Sequence, residues 1–243
     1  MKKNIICFLI FFQATLNYSQ EKKDFECIYT VYTSVDLDAD LKKNQISELI
    51  LKSKPLEYRL TVLAGNAYYS ESNSLITDGL EAQEQSTKVR RIVSSGNVEH
   101  VIGDLNTGEI KQWLNISQGV FCINTFMNEI NWEITTETKT IDRYLCYKAK
   151  SNIASIDKHG NVVKNEVIAY FTPIIPFQAG PLGYNGLPGL IIELQDKSKT
   201  IQLKSISFEK IKDFKVPKEI KCDKSFNSKI EYEKFLYDER KKI

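Results

Sequence analysis

Residues 26–35 read Glu26-Cys27-Ile28-Tyr29-Thr30-Val31-Tyr32-Thr33-Ser34-Val35. Tyr, Thr, Val and Ile dominate the stretch, and these residues suit a pleated, half-buried surface. A β-strand is expected here, and similar segments recur downstream. Leu56–Leu63 and Ala67–Ser70 read as a hairpin about Ala64-Gly65-Asn66. Strand signals follow at Val89–Ser94, His100–Gly103, Ile110–Ile116, Val120–Ile123, Trp132–Thr136, Tyr144–Lys150, Val167–Phe171, Leu190–Leu194 and Thr200–Lys210. Turn residues separate them, at Asn106-Thr107-Gly108, Lys158-His159-Gly160-Asn161 and Asp196-Lys197-Ser198-Lys199. So many strands with short connections imply a mainly β, single-domain fold. An antiparallel curved sheet is expected, as a half-barrel, barrel or sandwich.

Two segments break this rhythm. Between Asp38 and Lys52, Leu41, Ile46, Leu49 and Ile50 recur near helical spacing and Pro55 follows, so a short N-terminal helix is expected. Ser225 is placed to cap a C-terminal helix whose Phe226, Ile230, Phe235 and Leu236 pack on the sheet. Glu81–Thr87 is polar and reads as a loop.

Upstream, Lys2 and Lys3 precede the unbroken apolar run Ile5–Phe12, and polar residues return at once through Gln20. The run is far shorter than the ~20 residues of a membrane span. The layout is that of a signal peptide over residues 1–20, with residues 21–243 as the mature domain. The chain is therefore expected to be exported, to the periplasm or beyond the cell, without a membrane span. Its 33 basic residues, less the two leader lysines, equal its 31 acidic ones. That balance offers no attraction to nucleic acid. Cys27, Cys122, Cys146 and Cys222 lie in the mature part and allow three pairings. Cys122 and Cys146 fall in neighbouring strand-like segments and are the first pair expected.

The sharpest motif is residues 180–189, where Gly180, Gly183, Gly186 and Gly189 recur at every third position. It is neither a dinucleotide fingerprint nor a P-loop. Pro188 followed by Gly189 fits a type II turn, with positive φ at the glycine. The hexapeptide Gly186-Leu187-Pro188-Gly189-Leu190-Ile191 resembles the signature of the GLPGLI family, exported proteins of Bacteroidetes with no established activity. Trp132-Glu133-Ile134, Tyr144-Leu145-Cys146-Tyr147-Lys148-Ala149 and Ala169-Tyr170-Phe171-Thr172 extend the likeness, with Tyr170 where the family has Trp. Ile175-Pro176 and Gly180-Pro181 also fit. The resemblance implies export and a β-rich fold, and it assigns no catalytic residue. Two readings of the signature stand side by side. It closes the fold as a tight turn, or it presents Tyr184, Asn185, Gly186, Leu187, Pro188 and Gly189 to a ligand or partner.

Catalytic and metal constellations are poorly supported. His100 and His159 have no nearby partners in sequence. Asp36, Asp38 and Asp40 alternate like the start of a calcium loop, but Leu41 stands where Gly is needed and Ser47 where Glu is needed. Glu129 with Glu133 is a commonplace pair, and Glu193 reads as the polar edge of a sheet. The expectation is a non-enzymatic protein without a cofactor that binds an apolar ligand or an envelope protein. A hydrolase with a carboxylate site, or a purely structural envelope component, is the alternative.

Overall fold

The computed structural model describes residues 24–37, 44–72, 81–196, 198–212 and 214–242. The expected leader and the first half of the expected Asp38–Lys52 helix, with Asp38 and Asp40, lie outside them. The described residues form twelve strands: β1 (Phe25–Thr33), β2 (Leu56–Leu63), β3 (Asn66–Glu71), β4 (Val98–Asp104), β5 (Glu109–Ile116), β6 (Gly119–Phe126), β7 (Glu133–Ile141), β8 (Tyr144–Ile156), β9 (Val162–Thr172), β10 (Leu190–Gln195), β11 (Lys199–Ser207) and β12 (Lys224–Phe226). All belong to one sheet, in the order β12-β6-β5-β4-β3-β2-β1-β11-β10-β9-β8-β7. Every neighbouring pair is antiparallel except β12 with β6. The sheet is not closed, because β12 and β7 remain its two edges. Of the shapes expected, the open curved sheet is the one adopted.

Among the described residues, four α-helices accompany the sheet: α1 (Ser34–Leu37), α2 (Gln45–Lys52), α3 (Glu81–Ser95) and α4 (Lys229–Arg240). Asn44 caps α2, its Oδ1 accepting from the Ser47 amide at 2.8 Å. The α3 helix replaces an expected loop and an expected strand. Val89, Ile92 and Val93 favour strands by propensity, but Ser86 and Arg90, four residues apart, share one helical face and are both buried. The Arg90 guanidinium ties the three N-terminal helices together. It reaches both Asp36 carboxylate oxygens at 2.7 and 3.1 Å, the Ser53 hydroxyl at 2.7 Å, the Ser53 carbonyl at 2.8 Å and the Ile50 carbonyl.

The α4 helix is capped by Ser228 rather than Ser225, which lies in β12 instead. This helix explains the curvature. It packs against β12 at one edge and against β8 next to the other edge. Glu233 Oε2 accepts from the Ile156 amide at 2.8 Å, and the Tyr237 hydroxyl donates to the His159 carbonyl at 2.6 Å. A helix can touch both ends of a twelve-strand sheet only if the sheet curls around it.

Apolar residues form two clusters. The larger includes Phe25, Tyr29, Leu60, Phe171, Leu187 and Leu194. The smaller joins Leu114, Phe121 and Ile123 of β5 and β6 to Phe226 and Tyr232, with Phe235 and Leu236 against it. The opposite face of β5 and β6 carries Trp113 and Cys122. Across that face runs a strap leading from β11 to β12. Phe214 meets Tyr68, Glu219 meets Lys111, and the Ile220 carbonyl accepts from Trp113 Nε1 at 3.1 Å.

Cys222, in this strap, is disulfide-bonded to Cys122 across a Cα–Cα distance of 5.8 Å. The expected partner of Cys122 was Cys146, and the structure corrects this. Cys122 on β6 and Cys146 on β8 lie towards opposite ends of the sheet order. Proximity in sequence misleads here because the chain fills one half of the sheet before the other. Cys146 is a buried free thiol, and burial pushes its pKa up to about 11.

Candidate binding cavity beneath the C-terminal helix

The signature segment is built into the core. Leu187 and Asn185 are buried, while Gly186 and Pro188 are exposed. Asn185 Nδ2 donates to the Gly183 carbonyl at 2.7 Å, and the Asn185 carbonyl accepts from Trp132 Nε1 at 2.8 Å. The two most recognisable parts of the sequence pattern, Trp132 and the glycine segment, thus hold each other. Gly186 adopts φ +83°, which favours glycine. Gly189 does not take the positive φ expected of it. Its requirement is steric, because a Cβ there would land on the Thr172 carbonyl oxygen. The loop therefore locks β10 against the end of β9.

Tyr184 plays a second part. Its side chain packs against the main core and also lines a cavity of about 1200 Å³. The cavity lies between the two apolar clusters. Ile110, Ile153 and Leu182 supply wall on the main-core side; Leu114, Ile123 and Phe235 supply it on the other. The curl of the sheet around α4 creates this space, and most of its wall is apolar.

Charged residues also line it, among them Lys88, Glu129, Glu239 and Arg240, and one group of four stands together. The β10–β11 turn contributes Asp196 and Lys199, and the first turns of α4 contribute Lys229 and Glu233. Asp196 Oδ1 accepts from the Ser198 amide, the Ser198 hydroxyl and the Lys199 amide at 2.7, 2.6 and 3.0 Å. Burial opposes ionisation of this carboxyl, but Lys199 and these donors outweigh it and hold the pKa below the ordinary value. The Lys199 ammonium stands 3.4 Å from Asp196 Oδ2, and that of Lys229 stands 3.8 Å from Glu233 Oε1. Burial depresses the Lys199 pKa, Asp196 opposes the change, and Lys229 adds to it. The Tyr184 phenol is pushed upward by burial, so it stays a neutral hydroxyl.

Of the other residues singled out by sequence, Glu129 also lines the cavity, whereas His100, His159, Glu133 and Glu193 lie elsewhere. His100 stacks on Trp113 at 4.4 Å on the face opposite the cavity, and burial lowers its pKa. His159 sits in the β8–β9 turn. Glu129 Oε1 accepts from the Phe126 amide at 3.0 Å, whereas Glu133 is exposed on β7. Glu193 is not at a sheet edge. It lies on β10, between β9 and β11, and pairs with Lys139 at 2.7 Å. Lys139 also lies over the Tyr170 ring at 3.6 Å, so the aromatic body at that position has work whether or not it is Trp. Asp36 is engaged by Arg90. Among the described residues, no group of three or more His, Cys, Asp or Glu side chains is arranged to hold a metal.

Sequence reasoning missed the cavity. Tyr184 was singled out for the signature, and Phe235 and Leu236 for packing, but Lys199 was assigned only to a turn. Lys199 and Lys229 are brought together solely by the curl of the sheet.

A model of a Bacteroidetes-type family, described as a protein of unknown function (Porph_ging), matches residues 155–193. The match includes the hexapeptide at 186–191 but does not carry the GLPGLI name. No curated protein matches the chain. Among solved structures, PNGF-II in the C2 space group is similar with a TM-score of 0.48 and 11% identity, over 88% of this chain and 32% of that one. PNGF-II in the P21 space group gives a TM-score of 0.46 and 13% identity, over 79% of this chain and 29% of that one. The chain thus spans roughly a third of the length of these structures.

Proposed function

We propose that the protein binds an apolar ligand in the cavity beneath α4, as an exported, non-enzymatic, GLPGLI-like carrier or sensor. The observation that carries this reading is the cavity itself. At about 1200 Å³ it exceeds the roughly 300–1,000 Å³ of an ordinary small-molecule pocket. Its wall is mainly apolar, and the hydrophobic effect favours filling such a space with an apolar molecule rather than water. Export is supported by the leader-like residues 1–20 and by the Cys122–Cys222 disulfide, a bond that persists in oxidising compartments.

The test uses the neutral apolar fluorophore N-phenyl-1-naphthylamine with the chain from residue 21. Saturable uptake with a blue-shifted emission is expected, and Ile153→Trp, which fills the cavity from β8, abolishes it while circular dichroism stays native. Emission no greater than that of the heat-unfolded chain would sink the reading.

A further inference from the structure

Lys199 is a largely buried charge in the cavity wall. Its side chain is only 14% exposed, yet its ionic contact with Asp196 is 3.4 Å long. Asp196 is committed to its own turn, because one of its oxygens accepts three bonds from Ser198 and Lys199 backbone or hydroxyl donors. Lys229 is more exposed, with 56% of its side chain open to solvent, but it too lacks a close ionic partner. Its partner Glu233 is 3.8 Å away and accepts from the Ile156 amide on β8. A good charge-assisted hydrogen bond is about 2.7–2.9 Å long, so neither ammonium has one with its carboxylate neighbour. Lys229 lines the same cavity and is near enough to disfavour the charged form of Lys199. The neutral Tyr184 phenol lines the same cavity. One largely buried and one solvent-facing ammonium, neither with a close carboxylate partner, stand beside a phenol and form a polar end for a mainly apolar space.

We infer that the cavity takes a single-chain amphiphile with an anionic head, the chain lying among Leu114, Ile123, Ile153 and Phe235 and the head between Lys199 and Lys229. The inference rests on the apolar-ligand reading and deepens it. An anion between the lysines restores the electrostatic balance that burial has removed from Lys199. A neutral head gains no such interaction, and a cationic head meets two ammonium groups beside carboxylates, Asp196 and Glu233, that already accept from the Ser198 and Ile156 amides. Carboxylate and phosphate heads share the required chemistry.

The experiment is a titration of the chain from residue 21 with palmitate, hexadecyl phosphate and hexadecanol, each displacing N-phenyl-1-naphthylamine. At least one anionic amphiphile is expected to bind about tenfold or more tighter than hexadecanol, the scale of one charge-assisted contact. In K199Q/K229Q that ratio collapses towards unity, whereas Lys164→Gln, at an exposed position on β9, preserves it. Whichever anion is preferred identifies the head group. Equal binding of hexadecanol and both anions by the wild-type chain would overturn the inference and leave the apolar-ligand reading standing. An anionic preference that survives in a folded K199Q/K229Q would also overturn it. Failure of all three amphiphiles and the fluorophore to bind removes both. The wild-type ratio decides the matter even if the double variant does not fold.

Discussion

Arg90 shows how much one side chain organises in the N-terminal half. It is almost fully buried, and its guanidinium satisfies two backbone carbonyls, a hydroxyl and a carboxylate drawn from α1 and the end of α2. Burial alone raises the pKa of Asp36, but the bonds from Arg90 and Thr33 outweigh it and hold the carboxyl below its ordinary value of 3.8. A depressed folded-state pKa contributes stability above the unfolded value and loses it as pH falls through the folded one. Asp36→Asn leaves the arginine buried without its counter-charge, a loss of about 3 kcal/mol near neutral pH. Urea unfolding of both proteins should show that gap narrowing below about pH 4, as the wild-type carboxyl is protonated and comes to resemble Asn. A gap constant from pH 7 to pH 2.5 would show that the ion pair is not its origin. The sequence displayed Asp36 as part of an acidic triplet and Arg90 as part of a strand. Neither position hinted at the other, because a bond across 54 residues is set by tertiary packing. Gly189 was legible as a special residue, but for a different reason from the true one. The motif implied a backbone angle, whereas the structure requires the absence of a Cβ against Thr172.

Strands were the most readable elements, because alternation and turn chemistry are local properties. The β2–β3 hairpin and the β8–β9 and β10–β11 turns fall where the sequence placed them. The helix α3 was not readable, since its β-branched residues argue for a strand until the packing of α2 against it is known. For α4 the existence was legible and the start was displaced. The residues Lys224–Phe226 before it form a short parallel strand on β6, so helix initiation moves to Ser228. The Ser228 hydroxyl accepts from the Glu231 amide at 3.3 Å, and the Glu231 carboxylate accepts from the Asn227 amide at 3.0 Å. Together these satisfy two amide donors at the helix start. Ser228→Ala should therefore lower stability by about 1 kcal/mol. Ser225→Ala, outside the cap, should cost less than half as much. The two midpoints in guanidinium unfolding, at equal slopes, make the comparison, and a larger loss at Ser225 would contradict the cap assignment.

On the scale of the whole molecule, the fold is a sheet curled around a helix and fastened from behind. The fastening is the strap that follows β11. It runs across the face opposite the cavity without joining the ladder until β12, and it is held by a few side-chain contacts, a pair of hydrogen bonds between Asp223 and the Val120 backbone, and one covalent bond. That bond spans 100 residues of sequence and enforces the return of β12 to β6, which in turn positions α4 over the cavity. Cross-linking so long a loop removes conformational freedom from the unfolded chain, worth about 2–4 kcal/mol in practice. Cys222→Ser should lose that amount, and dithiothreitol should do the same to the wild type but nothing further to the variant. Trp113 provides a local reporter. It is buried under the strap and donates to the Ile220 carbonyl, whereas Trp132 serves the signature loop. In a Trp132→Phe background, reduction should shift the emission to the red as the strap lifts. Trypsin should then cut faster at Lys218 or Lys221, exposed positions whose neighbours Ile220 and Cys222 are held to the sheet in the oxidised chain. Cys146→Ser, remote from this fastening, should leave both signals unchanged. Unaltered emission and cutting rate after complete reduction would mean that packing alone seats the strap, and the curl around α4 would not depend on the disulfide.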